Sequence, residues 1–206
     1  MARRLIHTAE KILDVARSIV LDRGVSAATI EAIARASQAP SGSIYHRFGS
    51  RDVVLVELWI RAVRRSQHRF LEAIKASPDP TDAVVAAGLS ILDFAIDEPD
   101  DARLLSSLRH EDLVRSPLPA PTTDRLRELN RELARAIARL AKALYATEQR
   151  SARELVALAA FDIPYGAVRR HVIAGAAPPD DLRGHLERAI RAVLAGSPSK
   201  PRPRST

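Results

Sequence analysis

Several residue types and patterns are missing from this 206-residue sequence, and each absence excludes a class of protein. There is no cysteine, so disulfides, thiolate nucleophiles and thiolate metal sites are excluded. The lack of cysteine is compatible with a location in the reducing cytoplasm. No apolar run approaches the roughly 18 residues of a membrane span, and the opening residues carry charges too early for a signal peptide. We therefore expect a soluble cytoplasmic protein that does not bind membranes.

Aromatic residues make up only 4% of the sequence and glycine contributes 8 residues, whereas long runs of alanine, leucine, arginine and glutamate are frequent. This composition favours helix over sheet. Hydrophobic residues account for 46% of the chain, which is enough to bury a core. The composition therefore predicts an all-α protein.

The net charge of +7 is concentrated at the two ends of the chain. Residues 1–51 contain eight Lys or Arg against four Asp or Glu, residues 52–196 contain 21 against 21, and residues 197–206 contain three against none. A basic first segment attached to a neutral body is typical of a phosphate-binding module joined to a module that does not bind nucleic acid. The alternative for the first segment is a solvated basic surface.

Two helices are predicted before residue 40. An apolar stripe predicts the first, from Ile6 to about Arg23, and Gly24 ends it at a position suited to a positive φ. The stripe consists of Ile12, Leu13, Ala16, Ile19 and Val20. Thr29 can cap a second, short helix, because apolar residues follow it at the i, i+3, i+4 spacing.

A third short helix is predicted from Pro40, whose fixed φ suits a first helical position. Small residues follow on its first turn and allow the backbone to approach phosphates or base edges. Ile44 and Phe48 lie four residues apart and share an inward face, while Tyr45 and His46 point outward. Two short helices joined by a tight turn are the pattern of a helix-turn-helix DNA-binding domain.

The first quarter of the chain resembles the amino-terminal domain of the TetR family of bacterial transcriptional repressors. The resemblance rests on the first helix and on Gly24, Thr29, Ile33, Ala34, Gly42, Ile44, Tyr45, Phe48, Ser50 and Arg51. Two residues differ from the family pattern, since Gln38 replaces the usual turn glycine and Pro40 the usual serine cap. A glutamine in the left-handed region costs about 1 kcal/mol, which a packed three-helix core can absorb.

The resemblance implies roles for individual residues. Those expected to hold phosphates are Thr29, Tyr45 and Arg51. Those expected to meet bases and the adjoining backbone are Ser41, Gly42, Ser43 and His46. Arg3 and Arg4 are placed to reach the backbone or the minor groove. The alternatives are partial packing under the third helix for Tyr45 and a solvated charge for Arg51.

The body of the chain is predicted to be a helical bundle. A connector helix runs from Arg51 to about Lys75, and proline-containing breaks separate the helices that follow. These later helices are predicted at Thr81–Ile96, Asp100–Leu108, Thr123–Ala146, Ala152–Ile173 and Asp180–Leu194. Pro164 is expected to kink its helix. The expected architecture has about nine helices, divided into a helix-turn-helix domain (1–50), an effector-binding and dimerisation domain (51–196) and a disordered basic tail (197–206).

The resemblance also implies a homodimer and an effector pocket in the body. The last two helices are expected to pair with a second subunit through Phe161, Val168, Leu182, Leu186, Ile190 and Val193. The apolar stripe of the final helix is either this interface or ordinary core. The candidates for the pocket are Trp59, Phe94, Leu108, Phe161 and Tyr165, and the alternative is that these side chains belong to the core.

The leading functional hypothesis is a homodimeric repressor that binds a near-palindromic DNA operator and is released by a small-molecule effector. No cofactor or metal is expected. One alternative is a helix-turn-helix activator, or a regulator that responds to a protein partner. A remote alternative is a small helical enzyme that uses His110, Glu111 and Asp112. Adjacent helical residues do not converge on one point, and the sequence contains no H-E-x-x-H motif, so an enzyme is not expected.

Overall fold

A computed structural model describes residues 8–196, and all regular structure within this range is helical. The predicted all-α class is confirmed. The helices are α1 (Ala9–Arg23), α2 (Ile30–Ser37), α3 (Ser41–Phe48), α4 (Arg51–Ala76), α5 (Pro80–Asp97), α6 (Pro99–Ser107), α7 (His110–Leu113), α8 (Ala120–Glu128), α9 (Arg131–Tyr145), α10 (Arg150–Ala157), α11 (Ile163–Ile173) and α12 (Leu182–Leu194). None of the helices between residues 8 and 196 combines the length and apolarity that a membrane span requires.

The helices are more numerous than the nine expected, for local reasons. The predicted helix Thr123–Ala146 is broken between α8 and α9, where Asn130 has φ −95° and ψ 1°. Asparagine favours turns because its side chain competes for backbone hydrogen bonds. The short helix α7 was missed, and a π-helical turn, Leu158–Asp162, divides the helix predicted at Ala152–Ile173 into α10 and α11.

The chain forms two compact units by its internal contacts, and α4 contributes to both. Within the described residues, the first unit consists of residues 8–64 together with residues 100–129. Its apolar core includes side chains from α1, α2, α3, α4, α6 and α7, such as Ile12, Ile33, Ile44, Leu55, Leu58, Leu104 and Leu113. The first unit therefore combines α1, α2 and α3 with the beginning of the connector helix, α4, and with α6 and α7.

Ion pairs join helices within the first unit. Arg17 of α1 donates from Nη1 to Asp101 of α6 at 2.5 Å, and Asp101 is fully buried. Arg61 of α4 reaches back to α1, with Nη1 2.7 Å from Glu10 Oε2 and Nη2 2.8 Å from Asp14 Oδ1. A buried carboxylate is tolerated only when it is paired, so the Arg17–Asp101 pair fixes α1 against α6.

Within the described residues, the second unit consists of residues 65–99 and 130–196, and α5 packs against α9, α11, α12 and the π-helical turn. Gly88 of α5 lies close to α11, α12 and the π-helical turn. A Cβ atom at Gly88 would be 2.6 Å from Cδ1 of Ile190 and 3.1 Å from Cγ of Pro164. The sequence predicted a kink at Pro164, and the structure has the π-helical turn directly before it. Proline provides no N–H for the preceding turn, which explains the irregularity there.

Candidate nucleic-acid interface

Thr29 caps α2, as its position in the sequence predicted. Its backbone is extended, with φ −85° and ψ 160°, and its Oγ1 accepts a hydrogen bond from the N–H of Ala32 at 3.1 Å. The hydroxyl oxygen is thus engaged with the backbone of α2, while the hydroxyl hydrogen can donate outward. Ile30 and Ile33 are buried behind this cap and hold α2 in the core of the first unit.

The turn between α2 and α3 uses a left-handed residue. Gln38 has φ 58° and ψ 23°, the conformation considered for it in the sequence analysis. The N–H of Ala39 then donates to the carbonyl of Ala34 at 3.1 Å, and the Ala39 side chain is buried. This bond closes the end of α2 as helix-ending left-handed turns usually do. The Gln38 side chain is exposed beside the start of α3.

The third helix begins one residue later than predicted. Pro40 is its cap, with φ −58° and ψ 134°, and Ser41 is the first helical residue. The Pro40 carbonyl accepts the N–H of Ser43 at 2.9 Å, but proline has no side-chain acceptor for the first turn. The leading N–H groups of α3 have no partner within their own helix, as at any helix start, and they carry partial positive charge.

The two faces of α3 differ as expected. Ile44 is fully buried, and Phe48 is half-buried against the same core. Gly42 and His46 are exposed, and 49% of Tyr45 is exposed. The other two candidates on this helix, Ser41 and Ser43, are half-buried. The structure thus brings five of the predicted DNA-binding residues together on one short helix with a buried apolar side.

Arg47 is a cation on α3 that the sequence analysis did not select. It is exposed and lies one helical turn after Ser43. Its position within the helix-turn-helix motif, four residues from a predicted contact, was the signal that could have identified it. The predicted contact Arg4 lies outside the described residues.

Arg51 differs from the prediction in its orientation. Its Nε donates to the carbonyl of Ala28 at 3.0 Å and its Nη2 to the carbonyl of Val25 at 2.5 Å. Its Nη1 donates to Asp52 at 2.9 Å and to the carbonyl of Leu113 at 3.3 Å. Only 14% of the side chain is exposed. Because four of its five N–H groups are engaged by protein oxygens, Arg51 is not placed as a phosphate contact in this structure.

The residues predicted to line an effector pocket fall in different units. Trp59 and Leu108 belong to the first unit, where both are partly buried against its apolar core. The Trp59 ring centroid is 5.4 Å from that of His110, with the rings tilted by 51°. The remaining candidates, Phe94, Phe161 and Tyr165, belong to the second unit.

The predicted dimer residues divide by burial. Val168, Leu182, Leu186 and Ile190 are already buried within the single chain. The three on α12, a helix that packs against α5, are covered within this chain, as is Val168 on α11, and a role for these four in a subunit interface stays a prediction. Val193 is partly buried, whereas Phe161 is 38% exposed. Phe161 stacks on Tyr165 with centroids 5.6 Å apart, and Leu158 and Ile173 are also exposed.

The His110, Glu111 and Asp112 segment has a structural arrangement. The Asp112 carboxylate accepts the N–H of Arg109 at 2.7 Å and so caps α7. The His110 ring contacts that of Trp59 in a tilted arrangement, and His110 Nδ1 lies 3.3 Å from Glu111 Oε2. Within residues 8–196, no group of three or more His, Asp or Glu side chains is arranged to hold a metal ion.

In the first unit, α3 is buried on one side and follows the capped helix α2 and a left-handed turn. This arrangement defines the class of helix-turn-helix DNA-binding domains. Residues 12–58 match the family model described as bacterial regulatory proteins, tetR family. Similarity to solved structures extends over nearly the whole chain. The sequence match lies within the first unit, where the chain is similar to regulators of the TetR family.

Three solved structures illustrate this similarity. The fatty acid degradation regulator FadR from Bacillus halodurans is 16% identical, with a TM-score of 0.69 over 92% of this chain and 100% of that chain. A transcriptional regulator from Rhodococcus sp. is 18% identical, with a TM-score of 0.69 over 94% and 100%. A TetR family regulator from Marinobacter aquaeolei is 16% identical, with a TM-score of 0.67 over 95% and 97%.

At this level of identity the structural similarity establishes the fold, a helix-turn-helix domain followed by a helical bundle. No curated protein sequence matches the chain.

Proposed function

We propose that this regulator is a homodimeric repressor that binds a near-palindromic duplex operator and is released by a small-molecule effector. The observation that carries the proposal is the exposed face of α3, backed by the buried Ile44. A single short helix contacts only a few base pairs. Two such helices, held about 34–36 Å apart by a dimer, reach successive major grooves and gain specificity together.

The helical geometry of α3 sorts its side chains into roles. At about 100° per residue, Gly42 and His46 lie opposite the buried pair Ile44 and Phe48 and along the middle of the outward face. A helix in the major groove directs this middle line at base edges. We therefore assign Gly42 and His46, together with the neighbouring Ser43, to base contacts.

The flanks of α3 face the two walls of the groove. Tyr45 and Arg47 lie at similar angles on either side of the buried face, and both are exposed. Phosphates line both walls of the major groove. The hydroxyl of Tyr45 can therefore contact the DNA backbone on one side and the guanidinium of Arg47 the backbone on the other. We assign Tyr45 and Arg47 to phosphate contacts, with Thr29 at the start of α2. Arg4 remains a proposed contact to the backbone or minor groove.

The exposed apolar side chains of the second unit support a subunit interface. Leu158, Phe161 and Ile173 are large, apolar and exposed, and they lie on consecutive helical segments. Clustered exposed apolar residues mark interaction surfaces more often than isolated ones do. We propose that this surface, with Tyr165 and Val193, pairs with the same surface of a second copy.

The effector is proposed to act by stabilising the DNA-incompetent state. Binding that differs between the two states by about 1–3 kcal/mol is sufficient for release. Trp59 and Leu108 are partly buried in the first unit and Tyr165 in the second, and each remains a candidate for effector contact within its own unit. Phe94 is buried and Phe161 is exposed, so they are weaker candidates for direct contact.

The first experiment tests DNA binding by selecting random duplexes with the purified protein. We expect a near-palindromic site. Tyr45→Ala and Arg47→Ala should weaken binding to all sequences alike, and Arg47→Ala should lower the salt slope by about 0.9 per protomer. Ser43→Ala should instead alter base preference at one position. Arg139→Ala is the charge-matched control, because Arg139 is exposed on α9 of the second unit.

A second experiment tests the dimer and a third the switch. Phe161→Glu should give a monomer in sedimentation and reduce operator affinity, whereas Ile96→Glu, also an exposed apolar position of that unit, should do neither.

A screen for compounds that release the protein from the selected duplex identifies the effector. A reporter gene that carries the duplex distinguishes repression from activation. A monomeric wild-type chain with equal, weak affinity for every duplex contradicts the proposal.

A further inference from the structure

Arg51 and Asp52 join three backbone segments of the first unit. Arg51 binds the carbonyls of Val25 and Ala28, which belong to the turn directly before the Thr29 cap. Its third carbonyl partner is Leu113 at the end of α7. One guanidinium therefore connects the start of α4 with the start of α2 and with a segment that lies more than sixty residues further along the chain.

Asp52 completes the connection. Its Oδ2 accepts the N–H of Arg115 at 2.7 Å and the N–H of Ser116 at 3.0 Å, while its Oδ1 accepts from Arg51 at 2.9 Å. The residue is 7% exposed, so its charge depends on these three donors. The two side chains together hold residues 113–116 against the beginning of α4.

The location of the pair explains why it matters for α3. Arg51 follows the end of α3 by three residues, and Val25 and Ala28 precede α2. The pair therefore bridges the two ends of the α2–turn–α3 motif. A change in the position of residues 113–116 would act on Arg51 and Asp52 directly, and through them on the spacing between Thr29 and α3.

We propose that Arg51 and Asp52 are a positioning pair that sets the orientation of α3 and couples it to residues 113–116. The inference rests on the proposed DNA-binding function and deepens it, since it identifies a segment of the same chain that regulates the interface. It also replaces the phosphate contact that resemblance implied for Arg51. The two roles predict opposite results for conservative substitutions.

Arg51→Lys separates the two roles. A lysine can still serve a phosphate as a point charge, but it cannot bind three carbonyls and a carboxylate with a planar fork. The positioning role predicts that Arg51→Lys weakens binding to the selected duplex about tenfold or more without changing the salt slope. Retained affinity in Arg51→Lys overturns the proposal. Arg23→Lys is the control, and it should bind as the wild type does because Arg23 is exposed at the end of α1 and has no assigned DNA contact.

Asp52→Asn tests the proposal by the sign of its effect. Removing a negative charge from a DNA-binding unit strengthens binding when only long-range electrostatics matter. The positioning role predicts weaker binding, because an amide accepts through one oxygen only and cannot serve all three donors. Tighter binding by Asp52→Asn contradicts the proposal. Asp22→Asn, an exposed position of α1 with the same charge change, should show the electrostatic effect alone.

Amide hydrogen exchange tests the coupling in the wild-type chain and does not depend on the folding of a variant. Adding the selected duplex should slow exchange at Arg115 and Ser116, whose N–H groups bind Asp52. Unchanged exchange at both amides, with DNA bound, overturns the coupling. A wild-type chain that selects no duplex at all refutes the proposed DNA-binding function itself. The two failures are therefore distinguishable.

Discussion

The two units of this protein differ in the polar side chains that they bury. Within residues 8–196, the buried polar or charged residues of the first unit are Ser37, Asp52, Asp101, Ser106 and Thr122, whereas the second unit buries only Ser90. The helices of the first unit are fixed by directional contacts such as Arg17–Asp101. The second unit depends on close apolar packing around α5, where Gly88 leaves no space for a Cβ. Directional contacts fix the orientation of helices, which suits the unit that we propose to bind DNA.

The ion pairs of the second unit contrast with those of the first. Arg183 pairs with Asp93 and Arg191 with Asp82, and in both pairs each side chain is about half-exposed. Exposed pairs contribute little to stability because water and salt screen them. In the first unit, Asp101 is fully buried and its partner Arg17 is 16% exposed. Ion pairs between the same residue types are therefore expected to contribute more to stability in the first unit than in the second.

The largest expected effect tests this contrast directly. Asp101→Ala removes the buried partner of Arg17 and should lower the free energy of unfolding by about 3 kcal/mol, because a mostly buried cation loses its nearest counter-charge. Urea denaturation measures the change. Asp93→Ala in the second unit should change it by no more than about 0.5 kcal/mol. Equal losses in the two variants would abolish the distinction between the units.

Packing in the second unit is tested at two glycines. Gly88→Ala places a methyl group 2.6 Å from Cδ1 of the buried Ile190, and overpacking of this kind costs about 1–3 kcal/mol. Gly166→Ala meets no atom within 4 Å and should gain about 0.5–1 kcal/mol from helix propensity. Thermal unfolding compares the two. Adding Ile190→Val, which removes Cδ1, should recover part of the stability that Gly88→Ala loses. If no stability is recovered, the contact with Cδ1 is not the cause of the loss.

A polar contact inside the second unit gives a smaller effect. The Tyr145 hydroxyl donates to the carbonyl of Leu194 at 3.0 Å and links α9 to α12, so Tyr145→Phe should cost about 1 kcal/mol. Burial raises the pKa of Tyr145 above 10.0. The unfolded chain ionises first as pH rises, so this contribution is complete below pH 10.0 and is lost as pH rises through the folded-state pKa. Denaturation of both proteins between neutral and alkaline pH should show a smaller alkaline loss for Tyr145→Phe.

The smallest expected effect concerns two left-handed residues, one in each unit. Gln38 has φ 58° and Ala146 has φ 52°. Gly at either position relieves steric strain but adds unfolded-chain entropy, so Gln38→Gly and Ala146→Gly should each gain about 0.5 kcal/mol. Only Gln38→Gly is expected to change operator affinity, since Gln38 borders α3. An affinity change in Ala146→Gly of the same size would show that the effect is not local to the helix-turn-helix motif.

The DNA-binding motif was largely predictable because its signals are local. Thr29 precedes apolar residues at helical spacing, and its cap is present as expected. The inward direction of Ile44 and the exposure of His46 follow from the 3.6-residue period. Pro40 was misplaced by one residue, since a fixed φ suits a cap as well as a first helical position.

The long-range assignments were less accurate because periodicity does not identify the partner of a face. The apolar stripe of α12 was equally compatible with a second subunit and with this chain, and the structure covers Leu186 and Ile190 with α5. Arg51 shows the same limit for a polar side chain. Its partners at Val25, Ala28 and Leu113 lie 23 to 62 residues away in sequence, and no local pattern indicates them.

The sequence by itself determined the helical class, the position of the recognition helix and the side of that helix that faces outward. These features follow from backbone propensities and side-chain spacing within a few residues. Only the tertiary structure decided that Arg51 turns inward, that the final apolar stripe is core and that Arg17 meets Asp101. Each of these depends on which distant segments share space, and burial and hydrogen-bond satisfaction are decided when those segments pack together.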